Sequence, residues 1–162
     1  MPALKLHEEN TGGRFIHLPY AVAADSGTIT FHESAQNESG SLLDDHGNVL
    51  RDDIRSYEVE TVDLGELLDR MKADSADYLK LDLEGAEYEL LAQIGSEDLA
   101  PFRQVFIEFH HHIIDHRSTA DTRELVSRLK SFGLEPYSLD EHNYLFLSPE
   151  AQEAQKALGA QA

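Results

Sequence analysis

Three carboxylates fall within six residues, at Asp82, Glu84 and Glu87, where the pattern of apolar residues changes. Residues 79–83 alternate between apolar and charged positions as a half-buried strand does, and residues 86–94 follow the spacing of an amphipathic helix. A strand that runs directly into a helix places these carboxylates at its carboxyl end, where open α/β sheets bind ligands. The pattern therefore predicts an acidic site at this corner.

These side chains suit proton transfer or the binding of a hydroxyl group, because a positioned carboxylate accepts a proton or a hydrogen bond. The alternative for Glu84 and Glu87 is that they only complement the positive end of the following helix, an effect of ~0.3–1 kcal/mol. Lys80 lies two residues before Asp82 on the same strand face, either as its ion-pair partner or as a structural side chain that covers apolar surface. Gly85 allows the backbone to turn tightly and to approach a ligand closely.

A second predicted strand, residues 104–110, carries Glu108 and His110 opposite its apolar face. Both side chains are aimed at the carboxyl end of that strand. They either complete a polar pocket with Asp82 or form a satisfied pair at the end of the strand.

The histidine-rich segment, His110 to His112 with His116, has the composition of a metal site. Successive residues of a strand point to opposite faces, so His110 and His111 cannot converge, and His112 would share a face with His116 only in a helix. We therefore predict no native metal ion. A metal-dependent hydrolase built on these histidines and the neighbouring acids is the weakest function considered.

The 162-residue chain is long enough for one domain with a hydrophobic core, and its 41% hydrophobic content is ordinary for a globular protein. It has no cysteine, which excludes disulfides, a thiolate nucleophile and zinc sites built on sulfur. The formal charge of −18 repels phosphate backbones and anionic lipids, so we expect neither nucleic acid nor membranes as partners. No apolar run approaches ~20 residues and no secretory signal is visible, so we expect a cytoplasmic protein.

Periodicity along the rest of the chain predicts alternating strands and helices. The predicted strands are residues 15–23, 28–32, 56–62, 79–83, 104–110, 134–139 and 144–148. The predicted helices are residues 64–71, 86–94 and 118–132, with the end of another over 4–13, a long polar loop over 34–55 and a flexible or helical tail over 149–162. Asp63 is the expected N-cap of the first of these helices, and Gly95 and Gly133 are expected to close the other two. This order indicates an α/β fold, with residues 1–148 as one domain whose mostly parallel, doubly wound sheet ends in an antiparallel edge hairpin.

Four segments carry a resemblance to a known family: PYAVAADSGTITF, VETVDLGELL, DYLKLDLEGAEYELL and QVFIEFHHH. In this order, over residues 15–147, they resemble the FkbM family of S-adenosylmethionine-dependent methyltransferases. The resemblance implies a Rossmann-like enzyme that methylates hydroxyl oxygens of sugars, polyketides and related small metabolites. It also implies S-adenosylmethionine as the cofactor.

The resemblance gives roles to the residues named above. Asp82 would face the methyl group, where its charge favours the positive sulfonium, and Glu84 or Glu87 would hold the acceptor hydroxyl or remove its proton. The candidate catalytic residues are therefore Asp82, Glu84 and Glu87; the candidate cofactor-binding residues are Asp82 and Gly85; and the candidate substrate-binding residues are Lys80, Glu108 and His110.

The sequence departs from the family pattern at its beginning. The family starts with a strand and a glycine-rich turn for the amino-acid end of the cofactor, followed by a second strand whose terminal acid binds ribose. Gly12 and Gly13 precede a predicted strand instead of following one, so they cannot form that turn. We expect a sheet that lacks the first two strands, in a fragment or a degenerate relative with incomplete activity. The alternative function is a non-catalytic binding or assembly module, with a dimer or a complementing N-terminal segment as partner.

Overall fold

A computed structural model describes residues 2–34, 40–41 and 54–159. The strands are β1 (Ala21–Val22), β2 (Gly27–Ser34), β3 (Gly40–Ser41), β4 (Ile54–Val62), β5 (Ala76–Leu81), β6 (Phe102–Glu108), β7 (Glu135–Ser138) and β8 (Asn143–Leu147). The helices are α1 (Pro2–Asn10), α2 (Leu64–Met71), α3 (Glu87–Gln93), α4 (Ser96–Leu99), α5 (Thr119–Ser131) and α6 (Pro149–Gly159). The α/β class is confirmed, and most of the loop predicted over 34–55 lies outside the described residues.

The described strands form two mixed sheets, in the orders β1-β4-β2-β3 and β5-β6-β8-β7. The pairs β1/β4 and β5/β6 are parallel, and the other neighbouring pairs are antiparallel. The expectation of one mostly parallel sheet is therefore wrong for the described strands. Apolar periodicity gives the faces of a strand but not its partner or direction, which depend on contacts distant in sequence.

The predicted strand over residues 15–23 is also wrong for most of its length. Only Ala21 and Val22 pair, with Thr61 and Val62 of β4. Pro19 has no backbone N–H to donate to a strand ladder, so this apolar segment reaches β4 only after the proline.

The hydrophobic core surrounds β6. Val105, Ile107 and Phe109 are fully buried on one face, as their alternation predicts. Helices α3 and α5 contribute to the same core cluster, with Leu91 and Leu129 fully buried. Strand β6 therefore has a fixed position from which its carboxyl end presents polar residues.

The helix ends follow from local chemistry. Asp63 caps α2 as predicted, because its Oδ1 accepts a hydrogen bond of 2.8 Å from the backbone N–H of Glu66. Gly133 follows α5 with a φ of 90°, which a glycine adopts without strain. Gly95 directly follows Ile94, the C-cap of α3, as expected, and it is also the N-cap of the short helix α4, where its N–H donates to Asp98 at 2.7 Å. None of the helices in the described part of the chain is long and apolar enough to cross a membrane.

The tail predicted over residues 149–162 contains the regular helix α6, which supports the helical alternative over its described part. The amide of Gln152 donates to the carbonyl oxygens of Leu147 at 2.9 Å and Gly133 at 3.1 Å. These bonds attach the first turns of α6 to β8 and to the end of α5. The division into a domain over residues 1–148 and a tail stays a prediction.

Candidate active site

The turn between β5 and α3, which carries the acidic residues, has an unusual backbone conformation. Strand β5 ends at Leu81, so Asp82 is the first residue beyond it. Glu84 has a φ of 49° and Gly85 a φ of 106°, two consecutive left-handed residues. Glycine adopts this region freely, whereas an L side chain in it costs about 1–2 kcal/mol. Strain of this kind concentrates at functional sites, which makes Glu84 a residue of interest.

Glu87 is completely buried, and both of its carboxylate oxygens are hydrogen-bonded. Its Oε2 accepts a bond of 2.8 Å from the backbone N–H of Gly85. Its Oε1 accepts a bond of 2.9 Å from the backbone N–H of His110 and lies 3.1 Å from the ring Nδ1. One carboxylate thereby connects the β5–α3 turn to the end of β6.

His110 is 4% exposed, and its two ring nitrogens have different surroundings. With Nδ1 against Glu87, Nε2 lies 3.7 Å from Oδ1 of Asp82 and 3.8 Å from Oε2 of Glu84. Burial alone lowers the pKa of this imidazole, but the hydrogen bond with Glu87 and the charges of Glu87, Glu84 and Asp82 outweigh burial and raise it. The carboxylates therefore favour the protonated ring.

Lys80 is the ion-pair partner of Asp82, one of the two alternatives that the sequence left open. Its Nζ donates to Oδ2 of Asp82 at 2.8 Å and lies 3.9 Å from Oε2 of Glu108. The hydrogen bond with Asp82 raises the pKa of Lys80. Both members of this pair are partly exposed, so the pair itself adds ~0–1 kcal/mol to stability.

The structure brings the predicted residues Lys80, Asp82, Glu84, Glu87, Glu108 and His110 to one corner, at the carboxyl ends of β5 and β6. The parallel register explains this. Leu81 of β5 pairs with Ile107 of β6, so the residues that follow these two positions leave the sheet side by side. One potential ligand atom from each of Asp82, Glu108 and His110 lies within 4.8 Å of the other two. This is the one such group of potential metal ligands found in the described residues.

A cavity of about 500 Å³ opens beside Asp82 and Glu84. Its other walls are residues 17–22 and side chains of β2 and β4, including Phe31 and Tyr57. A cavity of this size accommodates a small organic ligand. Three other cavities, of about 510, 890 and 990 Å³, contact none of the predicted site residues.

The aromatic wall of this cavity was missed by sequence reasoning. Phe31 and Tyr57 pair directly across β2 and β4, with ring centroids 5.6 Å apart. A signal was present, since both lie at alternating positions of predicted strands. Only the approach of this sheet to the β5–α3 turn, a contact between distant parts of the chain, identifies them as cavity residues.

The described residues contain only some of the features that a methyltransferase cofactor site requires. Gly12 and Gly13 follow α1 with φ values of 61° and 79° and have open space around them, so they are not a cradle for a ligand. Within residues 2–34, 40–41 and 54–159, no glycine-rich turn follows a strand in the way that the amino-acid end of the cofactor requires. The acidic corner with Gly85 is the part that fits a cationic ligand.

An α/β fold with acidic side chains at the ends of parallel strands, beside a cavity, is an arrangement common among proteins that bind small ligands. The sequence model of the methyltransferase FkbM domain matches residues 4–145 of this 162-residue chain. The chain therefore belongs to the FkbM methyltransferase family. Comparisons with curated proteins and with solved structures found no match.

Proposed function

We propose that the protein is a cytoplasmic O-methyltransferase that uses S-adenosylmethionine and acts on a hydroxyl group of a sugar or another small metabolite. The observation that carries this proposal is the position of Asp82 and Glu84, which share a wall of the 500 Å³ cavity. Carboxylates beside a mostly apolar cavity provide a place for an organic alcohol next to groups that accept its proton.

The cofactor supplies, when bound, an electrophilic methyl group on a positively charged sulfur. Asp82 is the residue that we assign to the sulfonium, because it lies immediately after β5 and lines the cavity, while its Oδ2 accepts from Lys80. Gly85, with its positive φ, permits close approach of the backbone to a ligand. These residues would hold the sulfonium side of the cofactor.

Glu84 is the candidate for removal of the acceptor proton. Its left-handed backbone turns the residue into the β5–α3 corner, and it lines the cavity beside Asp82. A positioned base of this kind contributes roughly 10²–10⁴-fold to a proton-transfer step. Lys80, Glu108 and His110 lie around the same carboxylates and would orient the acceptor.

Glu87 is better suited to positioning than to chemistry. Its carboxylate is fully buried and is occupied by the amides of Gly85 and His110 and by the ring of His110. The catalytic role expected for Glu87 stays a prediction, and the geometry favours a role in orienting His110.

Calorimetric titration of the chain with S-adenosylmethionine tests the proposal. We expect binding by the unmodified chain, at least tenfold weaker binding by Asp82→Asn, and unchanged binding by Asp77→Asn. Asp77 is a matched control because it lies on β5, the strand that Asp82 follows, its side chain is 84% exposed and it is absent from the walls of this cavity. No heat from the unmodified chain, or equal heats from it and Asp82→Asn, would refute the proposal.

A second candidate function is a non-catalytic binding or assembly module. The observation that favours it is that β1 and β5 are outer strands of their sheets among the described residues, and an outer strand offers backbone groups to another chain. Light scattering coupled to size-exclusion chromatography distinguishes the two. A dimer that binds no S-adenosylmethionine supports the module, and a monomer that binds it supports the enzyme.

A further inference from the structure

The acidic corner contains a set of donor atoms suited to a metal ion. Asp82 follows β5, Glu108 ends β6 and His110 lies two residues further along the chain. One oxygen from each carboxylate and one ring nitrogen lie within 4.8 Å of one another. Small side-chain rotations bring three atoms at this separation to the ~2.0–2.2 Å that Zn²⁺ or Mn²⁺ requires.

The histidine of this set is already oriented for ligation. The buried carboxylate of Glu87 lies 3.1 Å from Nδ1 of His110, which leaves Nε2 facing Asp82 at 3.7 Å. A carboxylate that accepts the hydrogen bond from the second ring nitrogen is the usual support of a metal-bound histidine, because it fixes the tautomer and the plane of the ring. The set is therefore more than a cluster of acids on a surface.

A cationic group already lies against the two carboxylates. The ammonium of Lys80 is 2.8 Å from Asp82 and 3.9 Å from Glu108. The two carboxylates together can thus hold a positive charge, and a divalent ion placed between them would compete with Lys80. Because Lys80 is an exposed, flexible side chain, it can move away from the site at low cost.

We propose that Asp82, Glu108 and His110 bind one divalent cation of the class that accepts mixed oxygen and nitrogen ligands, such as Mn²⁺ or Zn²⁺. Three protein ligands leave coordination positions for water or for an oxygen of a molecule in the adjacent cavity. Ca²⁺ binds less tightly, because it prefers six to eight oxygen ligands and gains little from an imidazole. Glu87 is a positioning residue for the histidine. The proposed cation would occupy side chains that the proposed function also uses, but its binding is measured without methyl transfer, so either proposal can fail alone.

This inference differs from the prediction made from the histidine tract. That tract was rejected because neighbouring histidines of one strand diverge, and the argument holds for ligands drawn from the tract alone. The structure draws one histidine from the tract and takes the other two ligands from the ends of paired strands. In the described residues, no group of three ligands includes His112 or His116.

The test uses the full chain, freed of metal with a chelator, and measures free Mn²⁺ by electron paramagnetic resonance during titration. The expected result is one Mn²⁺ per chain, with affinity at least tenfold weaker in both Glu108→Gln and Asp82→Asn and unchanged in Asp77→Asn. His110 is buried and its substitution risks the fold, so the two partly exposed carboxylates are the informative positions. Circular dichroism verifies that each variant is folded.

Lys80→Met provides a second, independent readout. Removal of the competing ammonium strengthens Mn²⁺ binding if the ion occupies the proposed position. Ca²⁺ added to the Mn²⁺-loaded chain should release little Mn²⁺ at equimolar concentration. Binding that is absent at millimolar Mn²⁺, or equal in Glu108→Gln and the unmodified chain, overturns the proposal, since equal binding would come from the general acidity of a surface with a net charge of −18.

Discussion

The carboxylate of Glu87 holds His110 at two points, accepting a hydrogen bond from its backbone N–H at 2.9 Å and lying 3.1 Å from its ring Nδ1. The same side chain accepts from the backbone of Gly85 at 2.8 Å, so three groups depend on one buried carboxylate. This connection holds the β5–α3 turn against the end of β6. It keeps Nε2 of His110 directed at the site carboxylates.

Replacing Glu87 with glutamine should destabilise the protein. In the glutamine variant an amide NH₂ group would replace Oε2, and it cannot accept the hydrogen bond from the N–H of Gly85. Hydrogen bonds to charged groups contribute ~1.5–3 kcal/mol. We expect the free energy of unfolding, measured with urea, to fall by about that amount. Glu89→Gln, on the exposed face of the same helix, is the control and should remain within ~0.5 kcal/mol. Equal stabilities of the two variants would contradict the role given to Glu87.

Asp63→Ala should destabilise the start of α2. The mutation leaves the N–H of Glu66 without its 2.8 Å acceptor, and loss of such a cap costs ~1 kcal/mol. Asp63→Ser keeps an acceptor and should recover most of the loss in the same urea experiment. The cap role is wrong if serine and alanine are equally destabilising.

Arg128→Met tests how the backbone carbonyl groups at the end of α3 are hydrogen-bonded. The guanidinium of Arg128 donates to the carbonyl oxygens of Leu91 at 3.1 Å and of Ile94 at 2.7 Å. Removing both donors from a half-buried position should lower the free energy of unfolding by ~1–3 kcal/mol. Arg123→Met on the same helix removes only an exposed ion pair with Glu141 and should change stability by less than ~1 kcal/mol. Equal losses of stability in Arg123→Met and Arg128→Met would contradict this role of Arg128.

The β7–β8 hairpin should lose stability in acid because of Asp140. The side-chain amide of Asn143 and the backbone N–H groups of Asn143 and His142 donate to its carboxylate and lower its pKa to about 2. The folded-state pKa lies below the ordinary aspartate value of 3.8, so the unfolded chain binds more protons as the pH falls. The stabilisation is complete above pH ~4 and is lost as the pH approaches ~2.

Carbon-detected NMR titration of the Asp140 carboxyl measures this shift directly. Asp140→Asn should remove the corresponding part of the acid-induced decrease in melting temperature, because asparagine does not titrate. A midpoint near the ordinary value for aspartate, or the same pH profile in the variant, would show that the turn does not depend on the ionised carboxylate.

Sequence reasoning found the acidic corner because its information is local. The alternation over residues 79–83 and the helical spacing after Ala86 define where the strand ends, and parallel strand ends meet at one edge. The burial of Glu87 could not be predicted, since a glutamate in the first turn of a helix is usually exposed. It is buried here because its partners, Gly85 and His110, both turn their amides inward.

The pairing of the strands was predicted less completely than the clustering of the acidic residues. The hairpin over residues 134–148 was found because a short turn between apolar strands forces antiparallel pairing. The division into two sheets depends on the pairing of β2 with β4, whose register joins residues far apart in the sequence, such as Gly27 and Thr61. The helix α4 was missed because four residues are too few for a periodic pattern.

Methyl transfer itself is the most direct test of the central claim. The measurement follows the labelled methyl group of S-adenosylmethionine into a panel of sugars and small alcohols, with the unmodified chain, Glu84→Gln and Asp77→Asn side by side. The account predicts transfer to at least one hydroxyl acceptor. The rate should fall by at least ~10²-fold in Glu84→Gln and should not change in Asp77→Asn. Absence of transfer to every acceptor, or equal rates for Glu84→Gln and the unmodified chain, would contradict it.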